Sequence, residues 1–385
     1  MAVAGISKLD LKRQNRMQVI RLLRSSGPTS RIDIAREVGI TKAAVTIITN
    51  EMIQHGILYE KGEQAPKGTK LSRGRKKILL DIDPAHKMDM GLVLDSGILS
   101  FGICTLHGDP VEKHTVPIAA GESAETLMEL IRRIYKDLLY KNDLSPAHIT
   151  GLGVCIAPEY WEALHIAASD GRPDWSGLRS MLEEFVSLPI AFGAVTEGAA
   201  LAVCDYWHPE GVPDDLLLFR CGETFSCTPI LSAEIRRGIH GKAALMPGNT
   251  EERCLDEACR SLFSEERTPE LWISAAGNPD RILPELRRSE GVPLDLSVQS
   301  ALELFLLHRK QAVLDAVRLY DPGAVILMEG PSGPDALFTG LQNSLQAALS
   351  SENCPLFSCP ITEGNLFLAG SAFATREFFL NRGGF

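Results

Sequence analysis

The 385 residues are 45% hydrophobic and 23% charged, enough apolar material for packed cores, and no apolar run reaches the roughly 20 residues of a membrane-spanning helix. The chain is acidic overall, with 39 Lys+Arg against 49 Asp+Glu, but residues 1–80 hold 16 basic and 6 acidic side chains, leaving 23 against 43 for the rest. This split argues against one evenly charged domain: a basic head suited to polyanions precedes an acidic body that polyanions avoid.

In the head, Leu11 to Arg24 carries a helical apolar stripe (Leu11, Met17, Val19, Ile20, Leu22, Leu23) that Gly27-Pro28 stops. Ser30 caps a short second helix with Ile32, Ile34, Ala35 and Val38 turned inward, and Gly39 ends it. Thr41 caps a third helix to about His55, with Gly56 beyond; Val45, Ile48 and Met52 pack inward at i, i+3 and i+7. Its other face presents Lys42, Ala43, Thr46 and Asn50, short and polar with one cation and no acid before Glu51. Ile47 is expected in the core, the alternative being an apolar contact with a thymine methyl.

Two helices across a tight turn, the second small and polar near its N-terminus, match a helix-turn-helix that reads the major groove. Strands at Ile57–Glu60 and Lys77–Leu80 then flank a Gly/Pro/Lys-rich connection bearing Arg73, Arg75, Lys76 and Lys77. A hairpin with a basic tip is a wing, suited to phosphates or a narrow minor groove. Residues 1–80 therefore read as a winged helix whose DNA-contacting candidates are Thr41, Lys42, Ala43, Thr46, Asn50, Arg73, Arg75, Lys76 and Lys77.

The body repeats a layout. Strands at Met88–Val93, Ile98–Thr105 and Val111–Pro117 form a meander, followed by a helix over Ser123–Leu139 and a buried strand Ile149–Ile156. A second strand cluster follows at Leu216–Arg220, Thr228–Leu231 and Glu234–Arg237, then helices, a buried strand Ala324–Met328 and a closing helix over Ala369–Phe379. The duplication predicts an α/β fold of two lobes around a cleft, as in actin-like ATPases. The expected divisions are 84–192 for the first lobe, completed by 366–385, and 193–365 for the second.

Nine scattered cysteines read as reduced core residues, and the pairs Cys254/Cys259 and Cys354/Cys359 lack a nearby histidine to complete a metal site. No signal-peptide pattern precedes the first helix, and a cytoplasmic location is expected.

One ordered set of fragments resembles the ROK family (repressors, open reading frames and sugar kinases), in the regulator branch that includes the xylose and N-acetylglucosamine repressors. The fragments include Arg16–Ile20, Gly56-Ile57-Leu58, Gly74-Arg75, Asp95-Ser96-Gly97, Gly151–Val154 with Ala157-Pro158, Leu188-Pro189-Ile190, Asp321-Pro322 and Gly370-Ser371-Ala372. The resemblance implies a winged helix-turn-helix followed by a two-lobed sugar-kinase body.

Where ROK kinases carry an Asn-Asp pair that binds sugar and supplies the base, this chain has Ala194-Val195, which cannot accept a proton. The family's Glu-x-Gly-His falls on Leu245–Gly248, its zinc motif is reduced to Cys254, and its phosphate turn carries Glu223 and Phe225. A shifted register would bring Glu197 and His240 near the sugar site, although no Asn-Asp pair occurs between 189 and 204. Asp95 and Gly97 are expected to persist as a structural strand-turn. Candidate ligand contacts in the cleft are Glu159, Thr196, Glu197, His240 and Asp256.

The reading is a transcriptional regulator, a repressor of a double-stranded DNA operator, with no catalytic residues, metal or cofactor. Its body is expected to form a homodimer or higher homo-oligomer, with a sugar or sugar-derived effector as its candidate ligand. The alternatives are an ATP-dependent sugar kinase with a fused regulatory head, and a ligand-free dimerisation scaffold.

Overall fold

The computed structural model describes residues 8–63, 77–95, 97–119, 121–169, 172–207, 214–221, 225–237, 296–329 and 336–385. The head holds α1 (Lys8–Ser26), α2 (Arg31–Val38) and α3 (Lys42–Gln54) against a small sheet of β1 (Thr29–Ser30), β3 (Ile78–Ile82) and β2 (Leu58–Glu63), in that order. The caps fall where the local chemistry requires them. Ser30 Oγ accepts from Asp33 N–H at 3.3 Å, Thr41 Oγ1 accepts from Ala44 N–H at 3.2 Å, and Gly39 ends α2 with φ 74°. Val19, Ile20, Leu23, Ile34, Val45, Ile48, Met52, Ile57, Leu80 and Ile82 form the head's core. Ile47 does not join it: the side chain is 64% exposed, because its position lies on the outer face of α3, beside Thr46 and away from the buried Val45 and Ile48.

In the body, β4 (Met88–Asp95), β5 (Ile98–Thr105) and β6 (Pro110–Pro117) form an antiparallel meander, with β7 (Ile149–Ile156) and then β10 (Ile190–Gly193) added in parallel beyond β4. The small hairpin β8 (Ala167–Ser169) and β9 (Arg172–Asp174) lies apart. Helices α4 (Ala124–Lys141) and α5 (Ser176–Glu183) cover one face, burying Leu127, Ile131, Leu138, Leu178 and Leu182.

The second sheet repeats this plan. Strands β11 (Leu216–Cys221), β12 (Phe225–Leu231) and β13 (Glu234–Ile235) are antiparallel, and β14 (Ala324–Glu329) and β15 (Leu356–Ser358) are added in parallel beyond β11. Numbered within each lobe, both sheets read 3-2-1-4-5. Helices α7 (Leu296–Tyr320) and α8 (Ala336–Ser351) cover the second sheet, with Val313, Leu341 and Leu345 buried against it.

Between the lobes lie α6 (Val195–Tyr206) and α9 (Phe367–Ala374), the latter continued by a π-helical turn over Thr375–Leu380. The closing helix thus runs longer than the sequence pattern suggested. It sits on β4 and β7 because glycines leave room for its backbone. A Cβ at Gly153 would lie 1.8 Å from Gly370 O, and one at Gly91 would lie 1.9 Å from Phe367 O. Gly153→Ala is therefore expected to cost about 3 kcal/mol or more, read as a lowered urea midpoint with the slope unchanged.

The end of the chain returns to the head. Phe379 and Leu380 join the head's core, as does Leu106 from the β5–β6 turn. Arg16 stacks over the Phe385 ring at 4.2 Å, and His55 meets that ring edge-on at 4.6 Å.

Beneath the joint, Asp89 is fully buried and accepts from Thr375 Oγ1; burial pushes its carboxyl up to about 7. Because the folded value lies above the unfolded 3.8, this group's contribution to stability is present in acid and lost as pH rises through about 7. Asp89→Asn should flatten that slope in pH-dependent urea unfolding. No helix among the described residues is long and apolar enough to cross a membrane.

Candidate nucleic-acid interface and the cleft of the body

The outer face of α3 exposes Lys42, Ala43, Thr46, Ile47 and Asn50, while Val45, Ile48, Thr49 and Met52 are buried beneath. Thr41 also stays exposed, although its hydroxyl is engaged as the cap. One side chain, Arg31 at the start of α2, organises this surface. Its Nε donates to Thr49 Oγ1 at 3.0 Å, Nη2 to Asn50 Oδ1 at 3.1 Å, and Nη1 to Glu60 Oε1 of β2 at 3.1 Å. One lone pair of the Asn50 oxygen is therefore taken, and its amide hydrogens remain for a base acceptor such as guanine O6/N7 or thymine O4. Thr46 Oγ1 donates to Lys42 O at 2.8 Å, which leaves its lone pairs free to accept.

Lys77 is not a loose basic finger. It grips Asp33 at 2.9 and 3.1 Å and so fastens the root of β3 to α2. Hydrogen bonds from Ser30 and Lys77 hold the Asp33 carboxyl below the usual carboxylate range. Arg73, Arg75 and Lys76 lie outside the described residues, as do His240 and Asp256; so do Cys254, Cys259 and Glu223, and the side chain of Glu159.

In the body, Asp95 and Gly97 form the strand-turn expected of them. Gly97, at φ 77°, donates its N–H to Tyr160 Oη at 2.6 Å. Asp95, fully buried at the end of β4, accepts from Arg220 Nη2 of β11 at 2.5 and 2.6 Å, so a buried ion pair bolts one lobe to the other. Arg220 is itself only 4% exposed.

At the start of α6, Ala194 is the N-cap residue and makes no side-chain hydrogen bond, and Val195 is buried. Thr196 Oγ1 shares a hydrogen bond of 2.9 Å with Ser226 Oγ across the lobes. Glu197 accepts from Arg237 in fork geometry, Nε at 2.7 Å and Nη2 at 3.0 Å. Phe225, at the start of β12, is buried and stacks on Phe219 at 5.7 Å. The structure thus brings Thr196 and Glu197 to one end of α6, where internal partners already hold both.

Sequence reasoning missed Arg31, Arg220 and Arg237. A signal existed for Arg220, a lone cation within the apolar strand Leu-Leu-Leu-Phe-Arg-Cys, since a buried charge requires a partner.

The cysteines Cys104, Cys155, Cys221, Cys227 and Cys354 are buried and unbridged, and Cys204 and Cys359 half-buried and unbridged. Burial raises the Cys155 thiol well above its ordinary range and the Cys104 thiol to about 12, as for inert core thiols.

No family model matches the chain. It is 24% identical over 252 residues to a xylose repressor of Caldicellulosiruptor bescii, covering 65% of this chain and 61% of that protein. A putative xylose repressor of another Caldicellulosiruptor strain matches at 22%, so the chain spans less than two thirds of either relative's length. Over 66 residues, 17% of this chain and 16% of the relative, it is 41% identical to the DNA-binding transcriptional dual regulator NagC of Escherichia coli.

Among solved structures, a ROK family transcriptional regulator, homologous to the E. coli MLC protein, aligns over 97% of both chains at TM-score 0.63 and 15% identity. A ROK family glucokinase from Streptomyces griseus aligns over 75% of this chain and 99% of its own, at TM-score 0.51 and 15% identity. The shorter kinase alignment accords with a body of kinase fold bearing an additional domain. In fold over nearly its whole length, and in these sequence matches, the chain resembles the ROK family transcriptional regulators.

Proposed function

We propose that the protein is a DNA-binding transcriptional regulator acting as a repressor, with a body that has the kinase fold but no phosphotransferase activity. The observation that carries the reading is the exposed polar face of α3, displayed on a capped helix-turn-helix beside a winged sheet in the most basic part of the chain. In this reading residues 1–80 are the reader, 84–192 with 366–385 form the first lobe, and 193–365 form the second.

Loss of catalysis is supported by Ala194-Val195 at the base position and by Arg220 on Asp95. A single winged helix reads few base pairs, so a homodimer on a two-fold operator is part of the proposal. So is a cytoplasmic location. The relatives' names, xylose and N-acetylglucosamine repressor, point to a sugar or sugar derivative as effector.

Gel shifts on operator fragments selected from a random duplex library test the reading. Affinity should fall steeply with salt, and Arg75→Ala with Lys76→Ala should reduce the slope of log K against log salt by roughly 2, at about 0.9 per phosphate. A flat salt response would overturn the docking. Turnover of any sugar in an ATP-coupled assay would overturn the non-catalytic body.

A further inference from the structure

Ile47 stands in the middle of the polar outer face of α3. At about 100° per residue, Ala43, Ile47 and Asn50 fall within roughly 60° of arc, opposite the buried Val45, Ile48, Thr49 and Met52. Ile47 is 64% exposed, and Ala43, Thr46 and Asn50 around it are exposed as well.

A single apolar residue on a protein surface calls for no explanation of its own. Two features distinguish Ile47. The first is the fixing of its polar neighbours, since Arg31 donates to Asn50 Oδ1 and the Thr46 hydroxyl donates to Lys42 O. The second is charge. Glu51, the one acid of α3, is drawn towards α1, where Lys12 Nζ donates to its Oε1 at 2.8 Å and Arg16 Nη1 lies 3.7 Å away. Asp33 is gripped by Lys77, and Glu60 by Arg31. The face around Ile47 therefore carries no unpaired acid among the described residues of α3, in a head with 16 basic against 6 acidic side chains. Such a face complements a polyanion better than it complements a body with 23 basic against 43 acidic side chains, whether its own or a second copy's.

We infer that Ile47 reads the 5-methyl group of a thymine and is a specificity-determining residue of the DNA face. The inference rests on the DNA-binding proposal and names a base class for it. In the major groove only the pairs containing thymine present an apolar group. The edges of guanine, cytosine and adenine carry acceptors and donors that a branched alkyl chain strips of water without replacing. Against thymine the same side chain buries methyl on methyl. Asn50, three residues on, lies about 4.5 Å further along the helix axis, close to the roughly 3.4 Å step between base pairs. With α3 lying in the groove, Ile47 and Asn50 therefore address neighbouring pairs.

Competition gel shifts with the whole chain test this on an operator selected from random duplexes, each thymine being replaced in turn by deoxyuridine, which removes the methyl and keeps the pairing. At one or more thymines the parent should lose roughly fourfold in affinity per methyl removed. Ile47→Ala should abolish that loss at one of them and bind its thymine and deoxyuridine forms alike, whereas Ile47→Val should keep most of the discrimination. Alanine is the better helix former and the position is exposed, so the variant should fold like the parent. If no thymine shows a methyl effect, or if every such effect survives in Ile47→Ala, the inference is wrong. It is equally overturned if Ile47→Ala lowers self-association in sedimentation and leaves operator affinity unchanged, which assigns Ile47 to a contact between chains. In each of these cases salt-dependent binding by the parent leaves the DNA-binding proposal standing, whereas failure to select any duplex removes both.

Discussion

Arg220→Met is expected to lower the stability of the body by about 3–5 kcal/mol, since it leaves Asp95 buried and charged with its chief partner gone. The converse change, Asp95→Leu, takes the carboxylate from the buried guanidinium and should cost a comparable amount. The double variant Asp95→Leu with Arg220→Met removes both charges, and it should recover most of the loss because the apolar pair carries no desolvation penalty. Chemical denaturation of the three variants provides the double-mutant cycle. Additive losses would mean that the pair does not act as a unit. The result also bears on catalysis. If the salt bridge accounts for the stability of both residues, Asp95 is a structural residue held between lobes rather than a survivor of nucleotide binding.

The second large effect is expected at the DNA face. Thr46→Glu places a carboxylate on the exposed centre of α3, where it meets phosphates and base acceptors, and binding to every operator should fall roughly a hundredfold. Asn50→Ala should behave differently. With one lone pair of its oxygen held by Arg31, Asn50 turns its amide donors to a base, so truncation should relax discrimination at a single base pair by about 1–3 kcal/mol and leave non-specific affinity nearly unchanged. Arg31→Met should mimic part of this by releasing the Asn50 amide to rotate. Competition gel shifts against single-base operator variants at fixed salt separate the three. Equal losses on all sequences for Asn50→Ala would show that α3 does not read bases there.

The head and the two meanders were legible in the sequence because their signals are local. Caps at Ser30 and Thr41, stops at Gly39 and Gly56, the largely apolar runs of β4 and β5 and the alternation of β6 depend on neighbours within a few positions. The equivalence of the two sheets was likewise visible as a repeated layout, though the strand order 3-2-1-4-5 emerges only from pairing.

What the sequence could not show is long-range pairing of charge. Arg31 with Asn50 and Glu60, Arg220 with Asp95, and Arg237 with Glu197 join residues 19 to 125 positions apart. No periodicity encodes such partners. Ile47 was misread for a different, local reason. A β-branched residue inside a helix suggests core, yet its angular position placed it outward, and on this face an exposed apolar group can meet a thymine methyl.

Phe379 and Leu380 complete the core of a domain whose own helices and strands end at Ile82. During synthesis, a ribosome that has just passed residue 82 has made every helix and strand of this domain but not the side chains that seal it. Nascent chains should therefore carry a loosely closed reader until nearly 300 further residues have emerged. DNA recognition in the cell would then be deferred to finished molecules, and half-made copies attached to polysomes would not compete for the operator.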